Sequence, residues 1–376
     1  MVKPANIVTF SSLIGLVGSV ALVAGTASAQ TTATVRPAGA SPTLAPVTAP
    51  PALKAAIAAK KKKTVQPSAI GAYLSYRGKT PLLRVSTGQF ALEPVDTPGP
   101  TLQEIKRMPL PTAIQKTYGA YVSSFAFGKV TEPKLTITKP TNDHRSNQTP
   151  VRSQGSRQTC VAHAAIAGIE AAYRKRGQTV DLSENHAYNV FMARMSSTCV
   201  LDQPVSTWKS AEWLTAGRIC TEAASPYVPN ELEGKCQQVT LACSENRDHG
   251  FTMTFPLYGH GDGEGIGSIN NTNLLESFID AGFDIVGGFD IAGTDWSDGT
   301  AASGVIDVQV IPGIGPVGSS GRHAMLIVGY NRDAQYFVVK NSWGAGWGHA
   351  GYGYLSYDYV QTYGRHGYVV MGVTNG

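Results

Sequence analysis

Residues 160–176 read CVAHAAIAGIEAAYRKR, with Val161, Ala165, Ile169 and then Ala172 or Tyr173 recurring at helical spacing. Alanine suits a helix interior, the closing Arg-Lys-Arg suits a C-terminus, and Gly177 is a natural stop. The pattern predicts a second helix over DLSENHAYNVFMARM, with Asp181 or Ser183 as its cap, and a third over SAEWLTAGR. After Pro256 the runs shorten. IDVQVI, HAMLIVGYN, QYFVVKNSW and GYGYLSY are alternating, β-branched and aromatic, and predict strands. Helices first and strands later predict an α+β fold in two packed lobes. Upstream, AYLSYRG and PLLRVSTGQFALEPV also alternate like strands, and LQEIKRMPL opens like a short helix.

The N-terminal third is built differently. Lys3, an apolar run over residues 7–24 and Ala27-Ser28-Ala29 before Gln30 have the layout of a cleavable secretory signal over 1–29. No later segment is apolar enough to span a bilayer. The expected product is therefore exported, extracellular or periplasmic, with no stable membrane insertion once the signal is removed. Residues 30–67 are rich in Ala, Pro and Thr, end near a run of four lysines at 60–63, and read as a disordered linker. Residues 68–135 read as a pro-region or accessory segment, and 136–376 as the main domain.

Charge follows the same division. Residues 1–130 hold 14 basic and 3 acidic side chains, whereas the rest holds 17 basic and 23 acidic. The basic part is the least globular part, which argues against a nucleic-acid-binding domain and for a basic leader lying against an acidic one.

The candidate chemistry centres on Cys160. A thiol at a helix N-terminus is drawn toward thiolate by unpaired N–H groups and the dipole, and an adjacent imidazolium strengthens the effect. Gln154, six residues earlier across a Gly155-Ser156 turn, can return its amide over the helix start and form an oxyanion hole with the Cys160 N–H. His323 heads an apolar strand in GRHAMLIVGYN. Asn341, in KNSWGAGWG at the end of the next strand, can fix the tautomer and direction of an imidazole. His163 lies one turn after Cys160 and is expected to pack in the core. The glycine-rich GHGDGEGIGS at 259–268 lacks a phosphate-loop frame and reads as a flexible insertion.

TPVRSQGSRQTC, LSE at 182–184, ASPY at 224–227, HAMLIVGY and NSWGAGWG occur in the order found in the papain-like cysteine peptidases, which this chain resembles over about residues 143–354. The resemblance implies a helical lobe presenting Cys160, a strand-rich lobe presenting His323 and Asn341, and a cleft for an extended peptide. It assigns Cys160 as nucleophile, His323 as base and acid, Asn341 as orienter, Gln154 as oxyanion donor and Trp343 as a shield over the His–Asn contact. It implies a secreted cysteine endopeptidase, monomeric, made as a zymogen with its pro-region as inhibitor. Its partner is a peptide or protein substrate, and no metal or organic cofactor is needed. An acyl-transfer enzyme on the same residues, or a non-catalytic peptide-binding scaffold, are the alternatives.

This chain departs from the family in several places. The Cys160–His323 and Cys160–Asn341 spacings are long, with the surplus over 231–273 and around 295–320. Arg157 stands where a disulfide cysteine is common, Val161 and His163 replace aromatic residues, and the helical pro-region signature is absent. Arg322, a cation just before the base, is expected to lower its pKa if close. Cys199, Cys220, Cys236 and Cys243 form an even remainder expected to make two disulfides, with Cys199–Cys220 and Cys236–Cys243 preferred among three connectivities.

Overall fold

The computed structural model describes residues 63–94 and 137–374, apart from 67, 68, 70, 196–198, 201–202, 216–218, 230–236, 244–248, 260–267, 298–300 and 302. The secretory signal, most of the linker, the helix expected at LQEIKRMPL and most of the glycine-rich insertion lie outside the described residues.

The chain enters through strand β1 (Lys63–Thr64) and an antiparallel meander of β2 (Leu74–Arg77), β3 (Thr80–Val85) and β4 (Gly88–Ala91). Strand β5 (Thr141–Asp143) leads to helices α1 (Cys160–Lys175) and α2 (Glu184–Arg194), then β6 (Cys199–Val200) and α3 (Thr207–Trp213). Strands β7 (Gln237–Gln238) and β8 (Phe251–Tyr258), helix α4 (Thr272–Asp280) and strand β9 (Asp284–Ala292) follow. The remainder is β10 (Val305–Ile306), β11 (Gln309–Ile311), β12 (Gly315–Pro316), β13 (Ser319–Asn331), β14 (Tyr336–Lys340), β15 (Tyr352–Ser356), α5 (Tyr357–Tyr363) and β16 (Gly364–Val373).

The two predicted helices at residues 160–176 and 181–195 form where their periodicity places them. Ser183 caps α2 by accepting from the His186 amide, and Gly177 follows α1 with φ +77°. The large sheet runs β10-β15-β14-β13-β9-β16-β8, with β5 paired to β13. Alternation along β13 separates two cores. Ala324, Leu326 and Val328 face α1 and α2, whereas Met325 and Ile327 join Phe289, Trp343 and Trp347 on the other side. These are the two lobes, packed on opposite faces of one sheet. Strand β9 and helix α5 were not legible as periodic runs, because Gly287, Gly288 and the Tyr-rich 352–363 stretch blur both periods, whereas helix α4 carries Leu274, Leu275, Phe278 and Ile279 at helical spacing and was overlooked.

Two expectations are corrected. Lys63–Thr64 pairs in parallel with Gln309–Val310, and Val65 N–H donates to the Val310 carbonyl, so ordered strand begins inside the stretch read as linker. A disulfide joins Cys220 to Cys243, with Cα atoms 5.7 Å apart, in place of the Cys199–Cys220 and Cys236–Cys243 pairing. Both segments lie against His186 of α2, whose Nδ1 accepts from the Cys220 N–H at 3.5 Å and whose Nε2 donates to the Leu241 carbonyl at 3.3 Å. Cys199 lies in β6, whose backbone pairs with β7, and Cys236 lies outside the described residues.

Candidate active site

Cys160 is the first residue of α1, and Thr159 before it makes no side-chain cap, its hydroxyl being turned to the Tyr227 hydroxyl at 2.6 Å. The Cys160 and Val161 amides at the helix start and the Ala324 amide of β13 all favour the thiolate. Burial outweighs them. With 3% of its surface exposed, the thiol is pushed up to about 12, first by desolvation and then also by the charge of Glu93.

His323 comes from β13 and Asn341 follows the last residue of β14, its antiparallel neighbour. Their side chains meet at 2.7 Å between Nε2 and Oδ1. The Asn341 Oδ1 also accepts from the Ser342 backbone N–H at 2.7 Å, which fixes that atom as the oxygen. His323 must therefore donate from Nε2, leaving Nδ1 as the basic nitrogen, and Nδ1 is buried without a hydrogen-bond partner. Trp343 lies over the ring, with centroids 4.6 Å apart and planes tilted by 32°. Burial pulls the imidazole down to about 4, opposed by Asn341 and helped by His163. Arg322, expected to be the depressing cation, is instead turned to Asp290 at 3.4 Å. His163 is buried in the core as expected, with Nδ1 2.9 Å from the Thr159 carbonyl and its ring edge-on to Tyr227.

Gln154 is fully buried. Its Oε1 accepts from the Ser342 hydroxyl at 2.7 Å, and its Nε2 donates to the Arg157 carbonyl at 2.9 Å and the Ala91 carbonyl at 3.3 Å. Gly155 makes the turn possible: at φ +57° it sits so close to Pro229 that a Cβ would fall 1.9 Å from the Pro229 oxygen. Arg157, the departure from the family pattern, is buried between the Tyr188 and Tyr227 rings and donates to Asn185 Oδ1 and the Val228 carbonyl.

Sequence reasoning offered residues 68–135 as an inhibiting pro-region or accessory segment, but none of the contacts made over this site. Residues 80–93 run across it. Phe90 stacks on Trp343 at 5.2 Å, Thr87 Oγ1 donates to the Trp343 carbonyl, and the Thr80 hydroxyl accepts from Gln158 Nε2. Glu93 and Arg322 exchange both backbone hydrogen bonds, at 2.8 and 2.6 Å, extending pairing on β13 next to His323. Gly321 admits this strand, since a Cβ there would lie 2.7 Å from the Leu92 Cβ. Leu83, Val85, Phe90 and Leu92 are buried in the strand-lobe core, each contributing about 1.5–3 kcal/mol to docking. Their alternation was visible in the sequence, but not the partner they face.

The arrangement offers an imidazole with its tautomer set by Asn341 and Nδ1 unbonded, and an amide donor already held by a carbonyl oxygen. Residues 139–373 match the family model described as papain family cysteine protease. The chain is 28% identical to ananain from Ananas comosus over 57% of its own length and 54% of that protein. It is also 28% identical to cysteine proteinase A from Leishmania mexicana, over 54% of this chain and 51% of that protein. It thus spans about half the length of these relatives. The cysteine protease and lectin-like domains of Cwp84, a surface layer associated protein of Clostridium difficile, share its fold with a TM-score of 0.50 at 16% identity, covering 69% of this chain and 60% of that one.

Proposed function

The chain belongs to the papain family of cysteine proteases, and from that premise we propose that it is an exported cysteine endopeptidase, made as a zymogen whose own residues 63–94 cover the active site. The observation that carries the reading is the 2.7 Å His323–Asn341 contact, which leaves Nδ1 as the free base on the strand whose next amide, Ala324, faces the Cys160 thiol.

In the reaction His323 Nδ1 takes the Cys160 proton, and the thiolate attacks the scissile carbonyl carbon. The resulting oxyanion accepts from Gln154 Nε2 and the Cys160 N–H, and Nδ1–H then protonates the leaving amine. Water, deprotonated by the same nitrogen, releases the acyl group and restores the thiol. The covered form is a resting state because desolvation holds the thiol and the imidazole neutral. It also fills the place of a peptide, with the Ala91 carbonyl at the Gln154 amide.

The test is labelling of the purified chain with a cysteine-directed epoxide, before and after proteolytic shortening, read by peptide mass. Labelling at Cys160 after shortening, lost in Cys160→Ser and His323→Ala, is the expected result. Equal labelling before and after would remove the zymogen part. No labelling of a folded, shortened chain freed of the severed N-terminal segment would sink the peptidase reading.

A further inference from the structure

Lys340 ends β14 and directly precedes Asn341, yet its ammonium is buried. Its Nζ donates to Thr149 Oγ1 at 3.1 Å, the Thr149 hydroxyl donates to Glu170 Oε2 at 2.5 Å, and Glu170 Oε1 accepts the Leu182 N–H at 2.8 Å. Glu170 lies on the same helix α1 as Cys160, ten residues and about 15 Å further along it. One chain of hydrogen bonds therefore links the strand that delivers Asn341 to the helix that delivers Cys160. It runs between β14 and α1 on one face of the sheet, beside a small cavity lined by His163, Ala324, Asn341 and Ser342.

Holding α1 against the sheet does not require such a device. Two charges taken out of water are costly, and an apolar pair of similar volume usually packs at least as well. What apolar packing lacks is direction. Hydrogen bonds to three named oxygens favour one height of β14 along α1. The proton path from Cys160 to His323 depends on that height, because Asn341 orients the ring.

We propose that Lys340, Thr149 and Glu170 form a positioning tether that fixes Asn341, and through it His323, relative to the Cys160 sulfur. This rests on the reading of Cys160, His323 and Asn341 as the reacting set. Burial pushes the Glu170 carboxyl up and the Lys340 ammonium down, while each partly restores the other's charge. Glu184, Asp284 and Arg152 are the further charges acting on Lys340, and Glu184 also acts on Glu170.

The experiment uses full chains carrying Lys340→Met, Lys340→Arg, Glu170→Gln and the apolar double replacement Lys340→Met with Glu170→Leu, all put through the same activation. Two quantities are measured: kcat and KM on a chromogenic peptide amide, and the pH midpoint of Cys160 alkylation by iodoacetamide. Lys340→Met and Glu170→Gln are expected to lower kcat by about 100-fold, the scale of an ångström of misplacement, with KM nearly unchanged and the alkylation midpoint moved. Lys340→Arg is expected to recover most of kcat. The double variant, folded by its cooperative melting, should stay as slow as the single ones. A near-native kcat in Lys340→Met, or full recovery in the double variant, would overturn the tether. A wild type that never hydrolyses peptide amides would instead overturn the proposed function, and the alkylation midpoints would still decide the tether.

Discussion

The side-chain amide of Gln154 donates to the backbone carbonyl of Ala91, 63 residues upstream in the same chain. A donor suited to a developing oxyanion thus already holds a carbonyl, and the nucleophile beneath it is dry. Replacing Gln154 by alanine removes one oxyanion donor and should lower kcat of the activated enzyme by about 10²–10³-fold. KM should move little, because the interaction strengthens only in the transition state. Steady-state kinetics on a peptide amide checks this, and a pure KM effect would remove Gln154 from the chemistry.

Asn341 tests the orienting contact. Asn341→Ala frees the His323 ring, whose Nε2 loses its acceptor, so both tautomers and several ring angles become populated. The expected outcome is a fall in kcat/KM of about 10²-fold with the fold retained, read by kinetics beside a melting curve.

The state of the thiol gives a pH prediction. In the covered chain Cys160 titrates at about 12, so the thiolate fraction rises tenfold per pH unit and is still rising through pH 10. Iodoacetamide labelling of the intact chain should therefore climb across the whole alkaline range without a plateau. After shortening, rehydration removes the largest cause of the upward shift, and a plateau should appear at lower pH. The same profile for both forms would detach the shift from the cover.

Glu93 adds its own contribution, since its buried carboxylate is one of the causes that raise the thiol. Glu93→Gln keeps the backbone bridge to Arg322 and removes only the charge. Labelling of the intact chain at fixed pH should quicken several-fold, and no change would confine inhibition to steric cover.

The Cys220–Cys243 bond closes a loop with a sequence separation of 23 and should contribute about 3 kcal/mol through the unfolded chain. Cys220→Ser with Cys243→Ser is expected to lower the melting temperature by several degrees while leaving Cys160 labelling after shortening intact.

The residues whose chemistry is local were legible in the sequence. Cys160 opens a helix that its own periodicity predicts, and His323 and Asn341 sit on adjacent alternating runs, so their meeting follows from ordinary antiparallel pairing. Contacts formed across long separations were not legible. Nothing near Phe90 announces Trp343, nothing near Lys340 announces Thr149 and Glu170, and nothing near Cys220 announces Cys243. Arg157 looked like a lost cysteine, and only the two tyrosine rings around it explain a buried guanidinium.

The N-terminal segment is anchored twice, by β1 on β11 and by the meander over the cleft, and neither anchor passes through residues 95–136. A single cut there would not free the cleft. It would turn a covalent neighbour into a bound ligand with its own dissociation constant, so the onset of activity would depend on dilution as well as on proteolysis. Concentrated, freshly cut protein would stay quiet, and the same protein spread into a larger volume would wake as the severed piece drifts away.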